Sequence, residues 1–333
     1  MHPFVPLIET SRGGTPECLH FGAIAVCDAH GRVLAHAGDP QLVTFTRSTL
    51  KPLQALPFMQ AGGPRALGFT REQVAMLCAS HSGEAMHVQQ VDGMLHKAGV
   101  SSRQLQCGCH VPLFVEPGQA AGAYDERHHN CSGKHAGFLA CCVQHGWSAQ
   151  SYLAPEHPLQ QAIRRDVARA LGLAPEAMKM GIDGCSAPNY AVPLAHLAAG
   201  YARLASGDQD AEFGSSFAHL ADAMTAHPEL VSGSGRNDLE FMRAGRGDWV
   251  SKAGADGVQV VASRSRRQAV AVKVSDGSKV AATAATVGAL DQLGWLDEQQ
   301  REALRPWCAA TVTSVRGAAV GARRAVFALQ RAG

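Results

Sequence analysis

Ser48 and Lys51, in the string Thr46-Arg47-Ser48-Thr49-Leu50-Lys51-Pro52, stand three positions apart, so on a helix they share one face and the amine can reach the hydroxyl. A serine hydroxyl is too weak an acid to attack a carbonyl unaided. A lysine that burial or a nearby cation has stripped of its proton can serve as its base. At a helix start the serine would also lie beside unpaired backbone N–H groups and the positive end of the helix dipole, which favour a developing oxyanion. The same spacing arises by chance, often as an N-cap serine with a solvated lysine, so its companions decide what it means. Lys252-Ala253-Gly254 ends the first of three late β-type runs and offers a second cation. Its two small residues would let a strand edge approach a ligand and present a backbone N–H. The plainer alternative is a lysine decorating a turn before Asp256-Gly257. Ser80, in Cys78-Ala79-Ser80-His81-Ser82-Gly83-Glu84, is the candidate third hydroxyl, unless it only caps the helix-type run before it.

A second constellation is built on thiols. Asn130-Cys131-Ser132-Gly133-Lys134-His135-Ala136-Gly137 precedes a helix-type run, and Asp183-Gly184-Cys185-Ser186-Ala187-Pro188-Asn189 is a turn-rich segment further on. Two thiolates from separate loops would make half of a tetrahedral zinc site. His135, His110, Cys107, Cys109 or an uncharged lysine amine are possible completions. No second C-x-x-C or H-x-x-x-H of standard spacing is present, so spacing leaves two readings open: zinc, or small semi-buried cysteines in tight turns. Cys27, Cys141, Cys142 and Cys308 occupy apolar helix or strand positions and read as packing residues.

These residues must be positioned by a sizeable core, and 333 residues with 46% hydrophobic content supply one. Charged residues are 17% of the chain and leave a formal net charge of only +2, which excludes a disordered chain and provides no field for gathering nucleic acid. No apolar stretch reaches the roughly 18 residues of a membrane span. The N-terminus carries Glu9 where a signal peptide would be apolar, so a cytoplasmic location is expected.

Residues 22–28 and 32–37 read as a hairpin around Ala29-His30-Gly31. A helix follows from near Ser48 and breaks at Pro57. Residues 70–230 are mostly helical, with runs at Val74–His81, at Phe138–Val143 and from Pro158 to a stop at Gly172. Residues 249–274 form three strands of an antiparallel meander, and a helix covers Ser278 onward. The expected architecture is α/β (α+β): one domain whose antiparallel sheet, drawn from about 1–45 and 249–333, is flanked by helices. An α-rich subdomain is inserted at about 70–240.

The Ser-x-x-Lys string followed by Lys-Ala-Gly on a late strand resembles the Ser-x-x-Lys and Lys-Thr/Ser-Gly elements of serine β-lactamases and penicillin-binding proteins. Further strings make a more specific match: Ala79-Ser80-His81-Ser82-Gly83-Glu84, Asn130-Cys131-Ser132-Gly133-Lys134-His135-Ala136-Gly137, Asp183-Gly184-Cys185 and Lys252-Ala253-Gly254-Ala255. With Ser11-Arg12-Gly13-Gly14 and Glu17-Cys18-Leu19-His20-Phe21-Gly22 added, nearly the whole chain resembles the rhizobial-type (class 3) L-asparaginases, the thermolabile asparaginase II family. That resemblance implies a β-lactamase/glutaminase-like fold and hydrolysis of L-asparagine to L-aspartate and ammonia. It implies Ser48 as nucleophile, Lys51 as its base, and Ser80 with Lys252 as a second Ser-Lys pair. Cys131, Lys134 and Cys185 would hold a zinc ion that aids substrate binding more than bond breaking. Asp183, His135, Arg47, Ala253 and Gly254 would contact the substrate or orient the ligands, and a homodimer is expected. Two alternatives stand beside this: the same apparatus acting on another acyl donor, as in a glutaminase or β-lactamase-like hydrolase, or a non-catalytic protein stapled by zinc.

Overall fold

The computed structural model describes residues 3–113, 124–308 and 311–332. Backbone contacts divide the chain into two compact units. The first comprises Met1–Thr49, Val192–Ala205 and Glu240–Gly333; the second comprises Leu50–Ala191 and Ser206–Leu239.

The first unit is a nine-stranded sheet, antiparallel in every pairing described. Its order runs Thr311–Thr313, Ala319–Ala325, Val5–Arg12, Thr15–Asp28, Gln268–Val274, Val258–Ser263, Trp249–Gly254. Val33–Ala37 pairs with the later half of Thr15–Asp28 and with Gln330–Arg331. The expected hairpin and meander are both present. The hairpin's first strand begins seven residues earlier than its apolar run, because its polar half, Thr15–Gly22, pairs with Val5–Arg12 rather than with a core. Ile24, Val26, Val261, Val270 and Val272 of the sheet pack with Ala284, Ala285, Val287 and Leu290 of helix Lys279–Gln292. Burial of β-branched residues against a small-residue helix is the main source of this unit's stability. Helix Leu194–Ser206 is tied to the segment that leads into Ser48: Leu194 and Ala195 N–H donate to the carbonyls of Leu42 and Pro40, and Tyr201 donates to the Thr49 carbonyl at 2.6 Å.

The second unit is mainly helical. Helices Arg71–Leu77, Ala85–Ala98, Ser132–His145, Pro158–Leu171 and Gly214–Ala226 pack around buried Leu53, Leu77, Met94, Leu139, Ile163 and Phe217. Pro158–Leu171 ends as expected, with Gly172 in the left-handed conformation at φ 64°. The strand Lys179–Ile182 pairs antiparallel with Pro188–Ala191. The helix expected over Val74–His81 stops at Leu77, with Cys78 as its C-cap. Beyond it the amides of Ser80 and His81 donate to Val231 and Asn130 carbonyls instead of to their own helix. Ser80 therefore does not cap a helix. Likewise, the helix expected from Phe138 begins six residues sooner, at Ser132, and the early helix is divided at Ala55 into Lys51–Gln54 and Leu56–Gln60.

Candidate active site

The first unit holds Arg47, Ser48, Lys252, Ala253 and Gly254. Ser48 lies in a single turn of 3-10 helix, Arg47–Leu50, which continues into Lys51–Gln54. Lys51 is thus one helical turn along the same run. Arg47 enters that turn at φ 50°, a conformation a side chain adopts at a cost, and pairs with the Asp256 carboxylate at the tip of the hairpin after Gly254. Gly254 faces the same turn: a β-carbon there would meet the Thr46 carbonyl oxygen at 3.0 Å and Arg47 Cβ at 3.2 Å. The absence of a side chain at 254 is what lets the Lys252–Gly254 strand end lie against the residues leading into Ser48. Lys252 is fully buried, pairs in register with Val260, and its Nζ donates to the Ala253 carbonyl at 3.1 Å.

The second unit brings together Lys51, Ser80, Cys131, Lys134, His135 and Cys185. The amine of Lys51, 1% exposed, lies 2.5 Å from the Ala79 carbonyl, 2.8 Å from Ser80 Oγ and 3.3 Å from the Asn130 carbonyl. Among the described residues it makes no ion pair with a carboxylate. Burial pushes its pKa down; the Cys131 thiol opposes that and the Lys134 charge adds to it. A neutral amine has two N–H groups for the two carbonyls and a lone pair left to face the Ser80 hydroxyl.

Cys131 precedes helix Ser132–His145, and Cys185 sits in the turn between Ile182 and Pro188. Their thiols are hydrogen-bonded to each other, and Lys134 Nζ donates to Cys185 Sγ at 3.0 Å. The hydrogen bond from Cys131 and the charge of Lys134 lower the Cys185 pKa despite burial, while Cys131 is raised, so the pair holds one proton and one negative charge. Burial works against the Lys134 ammonium, but the thiolate overrides it and holds the amine charged. His135 is buried, with its ring 2.8 Å from the Tyr152 hydroxyl through Nδ1; its Nε2 faces the Cys185 thiol and, among the described residues, has no hydrogen bond of normal length. Burial lowers its pKa to about 4. Asp183 precedes the Cys185 turn, its carboxylate accepts from Gly184 N–H at 2.8 Å, and its charge raises the Lys134 pKa.

Of the other sequence candidates, Cys107 is buried, with a thiol that burial, reinforced by the nearby Cys185 charge, pushes up to about 12. Cys109 is exposed, and His110 bonds to Asn130. Among the described residues no three His, Cys, Asp or Glu side chains converge as a metal site. A cation held here would need the lysine amine as well as the two thiols. The donor set suits zinc: two thiols in contact, an amine on one of them and an unsatisfied buried imidazole nitrogen beside them.

Close backbone approach builds this cluster. A β-carbon at Gly133 would lie 2.5 Å from the Met76 carbonyl oxygen, and one at Gly137 would meet the Leu77 side chain. The absence of a side chain at Gly133 lets the cysteine-bearing helix seat on the end of Arg71–Leu77, just before the Ser80 loop. Sequence reasoning passed over the groups that complete the arrangement: the Asn130 carbonyl, His81, Tyr152 and the Val231 carbonyl. Of these, His81 and Asn130 left a signal, inside the strings at 79–84 and 130–137.

The family model described as L-asparaginase II matches residues 8–325. No curated protein matches the chain. Among solved structures, a β-lactamase from Mycobacterium bovis is similar at 16% identity with a TM-score of 0.44, covering 81% of this chain and 94% of that one.

Proposed function

The chain belongs to the L-asparaginase II family, and from that premise we propose that it hydrolyses the side-chain amide of L-asparagine through an acyl-enzyme on Ser48. Ser48 Oγ attacks the amide carbon as its proton passes to Lys51, one helical turn along. The tetrahedral oxyanion is stabilised by backbone N–H groups around Ser48 and at Ala253 or Gly254. The proton then goes to the departing nitrogen, ammonia leaves, and water hydrolyses the β-aspartyl ester to aspartate with Lys51 again taking a proton. Ser80 relays protons to and from Lys51, and Lys252 adds a second cation to the reacting group. Asp183, His135 and Arg47 orient the substrate's α-amino and α-carboxylate groups. The observation that carries this reading is Lys51 itself, a buried amine held by two carbonyls and a serine hydroxyl, with burial favouring the unprotonated form that a base requires.

Cys131, Lys134 and Cys185 would hold a zinc ion. Bound there, the ion would supply a Lewis-acid anchor for a polar group of the substrate and so raise affinity, leaving bond breaking to the serines and lysines. We propose a homodimer as the working form.

Ammonia release from L-asparagine and from L-glutamine, measured for the wild type and Ser48→Ala side by side, tests the reading. Release from asparagine that vanishes in a folded Ser48→Ala protein is expected. Wild-type turnover in that variant would remove Ser48 from the chemistry, and release only from glutamine would change the substrate.

A further inference from the structure

The residue next to Ser80 is tied into the site more heavily than Ser80 itself. His81 is fully buried. Its backbone N–H donates to the Asn130 carbonyl at 3.2 Å, the same carbonyl that accepts from Lys51 Nζ. On its ring, Nδ1 accepts from the Gly83 N–H at 3.1 Å, and Nε2 lies 2.8 Å from Ser132 Oγ. A backbone N–H can only donate, so Nδ1 is the acceptor and the ring proton of the neutral imidazole sits on Nε2, donating to Ser132. Ser132 in turn donates to the Arg127 carbonyl at 2.6 Å, so the His81 ring nitrogens and the Ser132 hydroxyl are all hydrogen-bonded.

The face of the ring is fixed as well. His87 stacks on it at a centroid distance of 4.9 Å and an interplanar angle of 15°. His87 is held by the same logic: its Nδ1 accepts from Glu84 N–H at 3.1 Å and its Nε2 bonds the Glu229 carbonyl at 3.0 Å. Gly83, at φ 80°, takes a conformation costly for other residues, and a β-carbon there would lie 2.8 Å from the His128 carbonyl oxygen.

We propose that His81 is a positioning residue for the hydrolysis, a neutral bridge that fixes Ser80 and Lys51 relative to the cysteine-bearing helix. The inference rests on the reading above that Ser80 and Lys51 act in the reaction. The geometry requires an acceptor toward Gly83 and a donor toward Ser132, and the neutral imidazole supplies them from two nitrogens of one rigid ring. Ser132 lies between Cys131 and Lys134 on that helix, so the bridge joins the Ser-Lys pair to the thiol cluster. If His81 is displaced, the Ser80 backbone and the shared Asn130 carbonyl move with it, and the Lys51 to Ser80 contact opens. His81 itself touches no reacting atom, so turnover falls while the substrate site is unchanged.

The test compares the wild type, Ser80→Ala, His81→Gln and His81→Phe by kcat and KM for L-asparagine, thermal unfolding and crystal structure. Phenylalanine keeps a ring to stack on His87 but makes neither hydrogen bond; glutamine can still donate toward Ser132. A misplacement of about 1 Å costs on the order of a hundredfold in rate. His81→Phe is therefore expected to lose at least about tenfold in kcat with KM within about twofold of wild type, and its Lys51 Nζ to Ser80 Oγ distance is expected to open. His81→Gln, at a similar unfolding temperature, is expected to recover most of kcat. If His81→Phe does not fold, His81→Asn, which keeps an acceptor for Gly83 but loses the reach to Ser132, carries the same comparison. A kcat unchanged in the bond-deleting variant while Ser80→Ala is inactive would overturn the inference alone, as would a lowered kcat with the Lys51 to Ser80 contact intact. Wild-type turnover in Ser80→Ala would overturn the reading of the site on which the inference rests.

Discussion

Replacing Gly133 with alanine isolates the contact that seats the thiol cluster. The added carbon would lie 2.5 Å from the Met76 carbonyl oxygen, 3.2 Å from its carbonyl carbon and 3.1 Å from its Cε, whereas ordinary contact begins at 3.4 Å. The obstructing atoms are mostly backbone, so no rotamer change relieves them. The helix Ser132–His145 must retreat from the end of Arg71–Leu77 by about 0.9 Å, a displacement whose cost lies toward the upper end of the roughly 1–3 kcal/mol typical of overpacking. In this first helical turn alanine returns only part of the roughly 1 kcal/mol of interior helix propensity, leaving a net loss of about 2 kcal/mol. Gly137→Ala, one turn further along, meets only the Leu77 Cδ2 methyl, the far end of a flexible side chain. There the propensity gain offsets the crowding, and the net change is near zero. For a unit of this size, thermal unfolding is expected to drop by about 4–8 °C in Gly133→Ala and by less than about 2 °C in Gly137→Ala. KM for L-asparagine should rise in the first variant alone, because the retreat carries Cys131 and Lys134 with it. Equal unfolding temperatures for the two variants would refute the argument that backbone contact at 133, rather than small-residue composition, builds the site.

Cys131→Ala is expected to raise KM more than it lowers kcat in steady-state assays with zinc present, as a lost binding contribution requires; an equal loss in kcat and kcat/KM would put the metal in the bond-breaking step. Cys185→Ala should unfold at a lower temperature than Cys131→Ala, since it leaves the buried Lys134 cation without its thiolate partner, and calorimetry of the two variants compares them directly. Burial above all, with the Arg236 guanidinium adding to it, holds His81 well below the usual histidine range. The unfolded chain therefore takes up a proton that the folded one refuses. The stability this contributes is fully present above about pH 6.5 and is lost below it by about 1.4 kcal/mol per pH unit until the folded-state value is reached. Urea unfolding at pH 7.5 and 5.5 should show that loss in the wild type and a smaller one in His81→Gln; identical pH dependence would refute the assignment of a neutral His81.

Several parts of this protein are written locally in the chain. The valine-rich β-type runs Trp249–Gly254, Val258–Ser263 and Gln268–Val274, separated by two short turns, specify a meander without knowledge of the rest of the fold. Pro158 and Gly172 mark the ends of their helix because proline fixes the φ of a first helical turn and glycine accepts the left-handed φ of a C-terminal stop at little cost. The Ser48-x-x-Lys51 and Cys131-x-x-Lys134 strings are short-range too, since each places its two side chains about one helical turn apart. The tertiary structure decided where hydrogen bonds between distant segments fall. Val74–His81 has the composition of one continuous helix, yet the amides of Ser80 and His81 are taken by Val231 and Asn130, and the helix ends at Leu77. Lys51 and Ser80, 29 positions apart, meet only because helix Lys51–Gln54 packs beside the loop that follows Leu77, and Lys134 and Cys185, 51 apart, only because helix Ser132–His145 packs beside the turn after Ile182. The protonation of Lys51 and of the thiol pair follows from that packing. A side chain's pKa depends on how much water surrounds it and on which charges it faces, and spacing along the chain encodes neither.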